Sequence, residues 1–199
     1  MNLPLTKKAV VRPERARDRA RIDELLDICF GAQRFGKTVY KFRDGVEPVP
    51  ELSFVVEYQG AESEAAPDIS DLAATIRYWP VLLPDDSASL LLGPIAVDPA
   101  RQKESIGAEL ITFSLSQARA LGYANCLLVG DAPYYIRFGF TRPPVLDLEL
   151  PGWVDINRFL GLEWVPGSLQ KQKGLLRKWP ANRPLPHYQR RFKTPPATR

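Results

Sequence analysis

Hydrophobic and polar positions along the chain follow two repeats, one typical of strands and one typical of helices. Short apolar runs rich in strand formers predict β-strands over residues 9–12, 52–58, 72–79, 89–97 and 124–129. Apolar residues at helical spacing predict helices over residues 17–30, 35–42 and 105–121, and a short helical turn over residues 132–137. Weaker patterns predict a strand over residues 145–150, a helix-like piece over residues 152–162 and an edge strand over residues 174–179. This order predicts an α/β fold, a central mixed β-sheet with helices on both faces.

Glycine and proline mark where several of these elements end or bend. Gly31 is expected to end the first helix, and Pro80 to end the strand that starts at residue 72. Gly93-Pro94 interrupts the strand over residues 89–97. Because proline has no N–H for the ladder, this pair predicts a bulge or a break in pairing. Residues 61–71 are acidic and poor in large apolar groups, which predicts a solvated loop.

The composition is that of a globular protein, since 45% of the 199 residues are apolar and 25% are charged. The apolar runs are much shorter than the roughly 20 residues that cross a bilayer, and the N-terminal residues lack the apolar stretch of a secretory signal. Cys29 and Cys126 fall in a helix pattern and a strand pattern, which favours reduced thiols in a cytoplasmic protein. His187 is the single histidine and no Cys-x-x-Cys pair occurs, so no metal site is expected.

The net charge of +4 is unevenly distributed along the chain. Residues 177–199 hold seven of the 27 Lys and Arg residues and none of the 23 Asp and Glu residues. This segment is also rich in proline, so we expect a domain over residues 1–176 and a basic tail over residues 177–199. The tail contains Trp179, Tyr188 and Phe192, which favours packing on the body or on a second subunit. Because the basic charge belongs to the tail, a nucleic-acid-binding domain is not expected.

Residues 90–140 are the most informative segment of the chain. A strand ends in Val97-Asp98-Pro99, a polar loop follows, and then a helix begins whose first N–H groups lack partners and favour an anion. This order of elements, ending in YYIRFGF, resembles the GNAT superfamily of acetyl-CoA-dependent N-acetyltransferases. Within it, the phrases LGPIAVDP and LLVGDAPYYIRFGF are similar to those of a bacterial subfamily whose members are mostly uncharacterised.

The resemblance assigns a pyrophosphate loop to this chain. The loop of the family reads Gln/Arg-x-x-Gly-x-Gly/Ala, which matches QKESIG at residues 102–107. The cofactor-binding residues implied here are Gln102, Lys103, Glu104, Ser105, Ile106, Gly107 and Ala108. Ser105 stands in the place of the middle glycine, and Glu104 where a cation is frequent. Backbone N–H groups make the contacts, so we expect CoA binding, weakened if Ser105 strains the backbone or Glu104 faces the diphosphate.

The resemblance also implies the remaining parts of a catalytic site. The backbone of Ile95, Ala96 and Val97 is expected to pair with the pantetheine arm of acetyl-CoA. Tyr135, four residues before Gly139, is expected to be the catalytic acid that protonates the departing thiolate, since a phenol with a pKa near 10 suits this role. The neighbouring Tyr134 is expected to face the other way.

The general base and the acceptor are not encoded by a motif. The strand over residues 89–97 contains neither an acid nor a histidine, so Glu57, Glu51 or a chain of water molecules is left to take the amine proton. We expect His187 to be solvent-exposed. Residues 34–43, RFGKTVYKFR, are either an amphipathic helix that packs on the sheet or, by the resemblance, a wall of the acceptor site.

The sequence thus predicts an enzyme that transfers an acetyl group from acetyl-CoA to a primary amine of a small molecule or a peptide, in a ternary complex. One alternative is a GNAT-fold protein that holds CoA or a regulator with little or no turnover. A second is a ribosome- or RNA-associated factor that uses the basic tail. The expected partners are an amine substrate and a second copy in a homodimer; neither nucleic acid nor a membrane is an expected partner.

Overall fold

The computed structural model describes residues 3–4, 9–58 and 72–186, so the predicted loop over residues 61–71, the end of the tail and His187 lie outside it. Helices α1, α2 and α3 are Arg19–Phe30, Ile106–Ala120 and Ala132–Tyr135. Strands β1 to β10 are Leu3–Pro4, Ala9–Pro13, Phe54–Tyr58, Leu72–Leu82, Ala88–Val97, Asn125–Val129, Leu148–Glu149, Phe159–Glu163, Gly174–Leu175 and Arg177–Lys178. None of the helices in these ranges is long and apolar enough to cross a bilayer.

The main sheet has the strand order β1-β2-β3-β4-β5-β6-β8, and β10 pairs with β4. Its pairs are antiparallel except for β5 and β6, which are parallel. Successive residues of a strand point to opposite faces, and Val55 packs with α1 whereas Val56 packs with α2. The mixed sheet therefore has helices on both faces, and the predicted α/β fold is confirmed.

Two predicted elements in the first half of the chain differ from the structure. The helix predicted over residues 35–42 is wrong, because Ala32–Gly36 and Thr38–Phe42 form two 3-10 segments separated by an extended Lys37. Gly36 weakens helix formation just before that break. Strand β4 runs through Pro80 to Leu82, although Pro80 was expected to end it. Pairing with β3 ends at Ile76, and proline is tolerated on a stretch without that neighbour.

Two predicted elements in the second half are also wrong. The strand predicted over residues 145–150 is the 3-10 segment Pro143–Val145 followed by the two-residue strand β7, which pairs with β9. The helix-like piece predicted over residues 152–162 contains the 3-10 segment Ile156–Arg158 and the strand β8. Phe159 and Leu160 are buried on opposite faces of the sheet, so the segment shows no alternation that would have indicated a strand.

The centre of the sheet opens along β5. Ile95 pairs with Ile76 and Leu92 with Tyr78, so Gly93 and Pro94 oppose Arg77 alone and the predicted bulge is confirmed. The parallel pairing of β5 with β6 is limited to Leu90 with Cys126 and Leu91 with Leu127. Beyond these pairs the two strands separate, which leaves one edge of β5 unpaired up to Val97.

Candidate active site

Two cavities flank the opening between β5 and β6. The first has a volume of about 550 Å³ and is lined by eight of the residues expected to bind the cofactor: Ile95, Ala96, Val97, Gln102, Lys103, Ser105, Gly107 and Ala108. The second has a volume of about 1300 Å³ and lies between the 3-10 segments after α1 and the ends of β6 and β8. Phe30, Ile95, Gln102 and Tyr134 line both cavities, so the two spaces are adjacent.

The loop before α2 presents backbone donors to the first cavity. The Asp98 carboxylate accepts a hydrogen bond from the Ala100 N–H at 3.0 Å and starts the 3-10 segment Pro99–Glu104. Ser105 then adopts φ 59° and ψ 6°, a left-handed conformation that glycine adopts more readily. The first N–H groups of α2 have no intrahelical acceptor, so they suit an anion such as a diphosphate.

Two of the residues expected to bind the cofactor do not line the first cavity. The Glu104 carboxylate accepts a hydrogen bond from the Tyr58 hydroxyl, which holds the acid outside the cavity wall. The Ile106 side chain is 1% exposed and packs in the hydrophobic core under α2. A contact from Glu104 or Ile106 to a ligand in this cavity would therefore come from the backbone.

The free edge of β5 forms one wall of the first cavity. The Cys29 thiol, on α1, donates a hydrogen bond to the Val97 carbonyl oxygen at 3.4 Å, and burial raises the pKa of this thiol. A carbonyl oxygen has two lone pairs, so Val97 can accept a second bond from a ligand. An extended chain placed along this edge would pair with β5 in the manner of an added strand.

Tyr134 and Tyr135 lie side by side at the junction of the cavities, with ring centroids 5.1 Å apart in an edge-to-face contact. The expectation that Tyr134 faces away is wrong, because its ring lines both cavities. The Tyr134 hydroxyl lies 3.5 Å from the point that a Cβ atom on Gly107 would occupy. Tyr135 lines the second cavity only.

The position of Tyr135 is fixed by close packing. A Cβ atom on Gly130 would lie 2.3 Å from the ring of Tyr135, so the absence of a side chain at Gly130 gives the ring its space. Phe140 packs against the same ring in an edge-to-face contact. Burial, assisted by Tyr134, raises the pKa of Tyr135 to about 12. The phenol therefore keeps its proton at neutral pH.

The second cavity is lined by more cations than anions. Its lysines and arginines are Arg34, Lys37, Lys41, Arg43 and Arg158, and its carboxylates are Asp131 and Asp155. The loop after β7 forms its rim, because Thr38 Oγ1 donates a hydrogen bond to the Trp153 carbonyl at 2.7 Å and Lys41 Nζ to the Pro151 carbonyl at 2.9 Å. Most of residues 34–43 thus line this cavity, and their role as a wall of the acceptor site stays a prediction.

The candidate bases from the sequence do not face either cavity. Arg12 Nε donates a hydrogen bond to the Glu57 carboxylate at 2.5 Å, and Glu51 is an exposed residue of the 3-10 segment Pro50–Leu52. The carboxylate nearest to the tyrosine pair along the chain is that of Asp131, two residues after the end of β6. Clusters of three His, Cys, Asp or Glu residues able to hold a metal ion are absent from the described ranges.

Sequence reasoning missed Tyr134 and Asp131 as residues of these cavities, and it gave Arg43 only as one member of the segment 34–43. Asp131 lies two residues after the end of the buried strand β6, at the carboxyl end where α/β sheets place ligands, and this signal was available. No local pattern singled out Arg43 within that segment, because its contact with Trp79 joins residues that are distant in the sequence.

Comparisons with known proteins agree with this geometry. No family model matches the chain. The chain is 27% identical over 155 residues, 78% of its length and 81% of the relative, to an uncharacterized N-acetyltransferase, YjhQ, of Escherichia coli. The crystal structure of a GNAT family acetyltransferase from Brucella melitensis with acetyl-CoA has a TM-score of 0.59 and 26% identity, covering 87% of this chain and 97% of that one. The structure of the GNAT family N-acetyltransferase YhbS of Escherichia coli with CoA has a TM-score of 0.66 and 23% identity, covering 91% and 95%.

The fold of this chain, a mixed sheet with helices on both faces, matches that of these solved acetyltransferases. The chain is thus similar in sequence and in fold to N-acetyltransferases of the GNAT family, the family that residues 90–140 resemble. Enzymes of this family act on amine substrates.

Proposed function

We propose that the protein transfers the acetyl group of acetyl-CoA to a primary amine of a small molecule or a peptide. The observation that carries this proposal is the pair of cavities that share Phe30, Ile95, Gln102 and Tyr134. A cosubstrate in the first cavity and an acceptor in the second would meet at these residues. Such proximity is what direct attack in a ternary complex requires.

Acetyl-CoA is the cosubstrate of this proposal, and the first cavity is its site. The N–H groups of residues 102–108 would hold the pyrophosphate, and the free edge of Ile95, Ala96 and Val97 would pair with the pantetheine arm. The Glu104 carboxylate would repel the diphosphate only weakly, because its hydrogen bond with the Tyr58 hydroxyl holds it outside the cavity.

The chemistry needs an unprotonated amine, a site for the oxyanion and a proton for sulfur. The amine nitrogen attacks the thioester carbon, the carbon–sulfur bond breaks, and a backbone N–H of β5 stabilises the oxyanion. Asp131, directly or through water, takes the proton from the amine. Tyr135 donates to the departing thiolate, and its high pKa means that it enters the reaction protonated.

Calorimetric titration with acetyl-CoA, followed by a thiol-release assay with a panel of amines, tests this proposal. We expect binding at micromolar to millimolar concentrations and CoA release that depends on an added amine. The absence of both heat and thermal stabilisation at millimolar acetyl-CoA would overturn the proposal. Binding without turnover on any amine would instead favour the non-catalytic CoA-binding alternative, which the left-handed Ser105 makes worth testing.

The remaining expectations about context stay proposals. The basic segment packs on the body in part, since Arg177–Lys178 pairs with β4 and Trp179 is 3% exposed. We propose a homodimer, which size-exclusion chromatography with light scattering would test. The cysteines Cys29 and Cys126 are both free thiols, which is compatible with the reducing cytoplasm proposed for this protein.

A further inference from the structure

We infer that the acceptor is a small amine that also carries an acidic group, and that Arg43 binds this group in the second cavity. The inference rests on the proposed acetyl transfer and names the substrate class of the same site. A carboxylate and a phosphate present the same chemistry to a guanidinium, so both are tested below.

Arg43 is a buried cation without an acidic partner. The residue is only 9% exposed, and its Nε atom is buried with no hydrogen-bond partner. Within the part of the chain that the structure describes, no carboxylate forms an ion pair with it. Its guanidinium carbon lies 4.5 Å from the ring centroid of Tyr40 and 5.9 Å from that of Trp79. These rings orient the guanidinium but do not neutralise it.

The electrostatic surroundings of Arg43 agree with the lack of an acidic partner. Burial lowers the pKa of Arg43 to about 10; the hydrogen bond and charge of Tyr40 oppose this shift, and the positive charge of Arg77 adds to it. Arg77 itself is paired with an acid, because it donates two hydrogen bonds of 2.7 Å to the Glu14 carboxylate. Arg43 is still protonated at neutral pH, and an unpaired buried charge is costly unless a ligand satisfies it.

The guanidinium lies in the second cavity, beside the bulge of β5. Arg43 Nη2 lies 3.1 Å from the position that a Cβ atom on Gly93 would occupy, at the bulge of β5. Arg43 and Gly93 both line the second cavity. An acid bound there would bring its amine close to the opening between β5 and β6.

Two other cations of the second cavity have partners. Arg34 forms an ion pair with Asp27, and Lys41 Nζ donates to the Pro151 carbonyl. They contribute a positive potential that attracts an anion, and Arg43 differs from them in having no acidic or carbonyl partner among the described residues and a buried Nε donor without an acceptor. The carboxylate of Asp131 lines the same cavity and would face the amine of such an acceptor.

The experiment compares matched acceptors in the presence of saturating CoA or acetyl-CoA. The pairs are phenylalanine with phenylalaninamide and 2-aminoethyl phosphate with ethanolamine, measured by calorimetry and by thiol release. We expect at least one acid to bind about 10–100-fold more tightly than its neutral partner. We also expect Arg43→Gln to remove that preference and Arg43→Lys to retain part of it. Arg142→Gln is the control for general loss of positive charge, because Arg142 lies outside both cavities and donates to the Val145 carbonyl.

The outcomes separate this inference from the proposed function. If neither acid binds more tightly than its partner, or if Arg43→Gln leaves the preference intact in a folded protein, the acidic-acceptor inference is overturned while amine-dependent turnover can stand. If acetyl-CoA does not bind but an acid binds through Arg43, the proposed function fails and the anion site remains. If Arg43 only stacks on Tyr40, then Arg43→Gln should change the melting temperature but not the ratio between the affinities for the acid and for its neutral partner.

Discussion

The Tyr58 hydroxyl donates a hydrogen bond to the Glu104 carboxylate, and this bond ties the end of β3 to the loop before α2. Glu104 stands where the related loops often have a cation, so its charge would oppose a diphosphate if the side chain faced the first cavity. The bond to Tyr58 directs the carboxylate elsewhere, and the ring of Tyr58 in turn packs under the guanidinium of Arg101 at 4.1 Å. The loop can therefore carry an acid and still present its backbone donors to an anion.

Removing the Tyr58 hydroxyl tests this relationship. In Tyr58→Phe the Glu104 side chain loses its donor and can approach the diphosphate, so we expect the KM for acetyl-CoA to rise about 2–5-fold, the size of a solvent-screened charge effect. Initial rates at varied acetyl-CoA measure it. The double variant with Glu104→Gln should return the KM to the native value. A rise that persists without the Glu104 charge would show that Tyr58 acts on the loop in another way.

The left-handed Ser105 predicts a small gain in stability on substitution by glycine. A residue with a Cβ atom pays about 1–2 kcal/mol in this conformation, and glycine loses about 0.5–1 kcal/mol in extra unfolded-state entropy. We therefore expect Ser105→Gly to raise the free energy of unfolding by about 0.5 kcal/mol, measured by urea denaturation. Ser105→Ala is the control, since it keeps the Cβ atom and removes only the hydroxyl. The free energy of unfolding of Ser105→Gly should exceed that of Ser105→Ala. If Ser105→Gly is instead the less stable of the two, the strain argument is contradicted.

The sequence predicted the parts of the site that depend on local chain geometry. Gly93-Pro94 gave the bulge of β5, and the strand, loop and helix before residue 121 were placed because their signals lie within a few residues of one another. The orientation of Tyr134 could not be predicted, because α3 is four residues long and passes directly into the 3-10 segment Ile136–Phe138. The angle between successive side chains differs between these two helices, so the spacing along the sequence does not decide which ring faces a cavity.

The buried ion network under the N-terminal end of α1 predicts a pH-dependent stability. Arg12 donates hydrogen bonds of 2.7 and 2.9 Å to Asp18, which is 1% exposed, and a bond of 2.5 Å to Glu57. Asp18→Asn removes one of the two acids that neutralise Arg12, and we expect a loss of about 3 kcal/mol in the free energy of unfolding at pH 7. Asp23→Asn, an exposed position on the same helix, should change stability by less than about 0.5 kcal/mol.

The same pair of variants gives the sign of the pH effect. Burial opposes ionisation of Asp18, but the hydrogen bonds from Arg12 and from the Arg15 N–H outweigh it and lower the pKa of this carboxyl. A lowered folded-state pKa contributes stability that is present above the unfolded value of about 3.9 and is lost as the pH falls through the folded value. The stability difference between the native protein and Asp18→Asn should thus be constant above about pH 5 and shrink below about pH 4. A difference that grows on acidification would contradict this assignment.

The two adjacent tyrosines predict different kinetic defects. Tyr135 lines only the acceptor cavity, so Tyr135→Phe should lower kcat and leave the KM for acetyl-CoA within about twofold of the native value. Its pKa of about 12 exceeds that of a thiol, so the phenol donates a hydrogen bond to sulfur more readily than it yields its proton. We therefore expect the low end of general-acid assistance, about 10²-fold in kcat. The same pKa predicts that native kcat does not fall between about pH 8 and 10, where a phenol of ordinary pKa would begin to ionise.

Tyr134→Phe is the matched variant. The Tyr134 hydroxyl lies beside Gly107 at the start of α2, where a donor would contact the bound cosubstrate. We expect a rise of about 3–10-fold in the KM for acetyl-CoA with kcat nearly unchanged, because the lost hydrogen bond acts equally on the ground state and the transition state. Steady-state kinetics on one accepted amine, with both substrates varied, measures the two variants together. If the defects are exchanged, with kcat lost in Tyr134→Phe and retained in Tyr135→Phe, then Tyr134 donates to the leaving thiolate and Tyr135 only packs against Gly130.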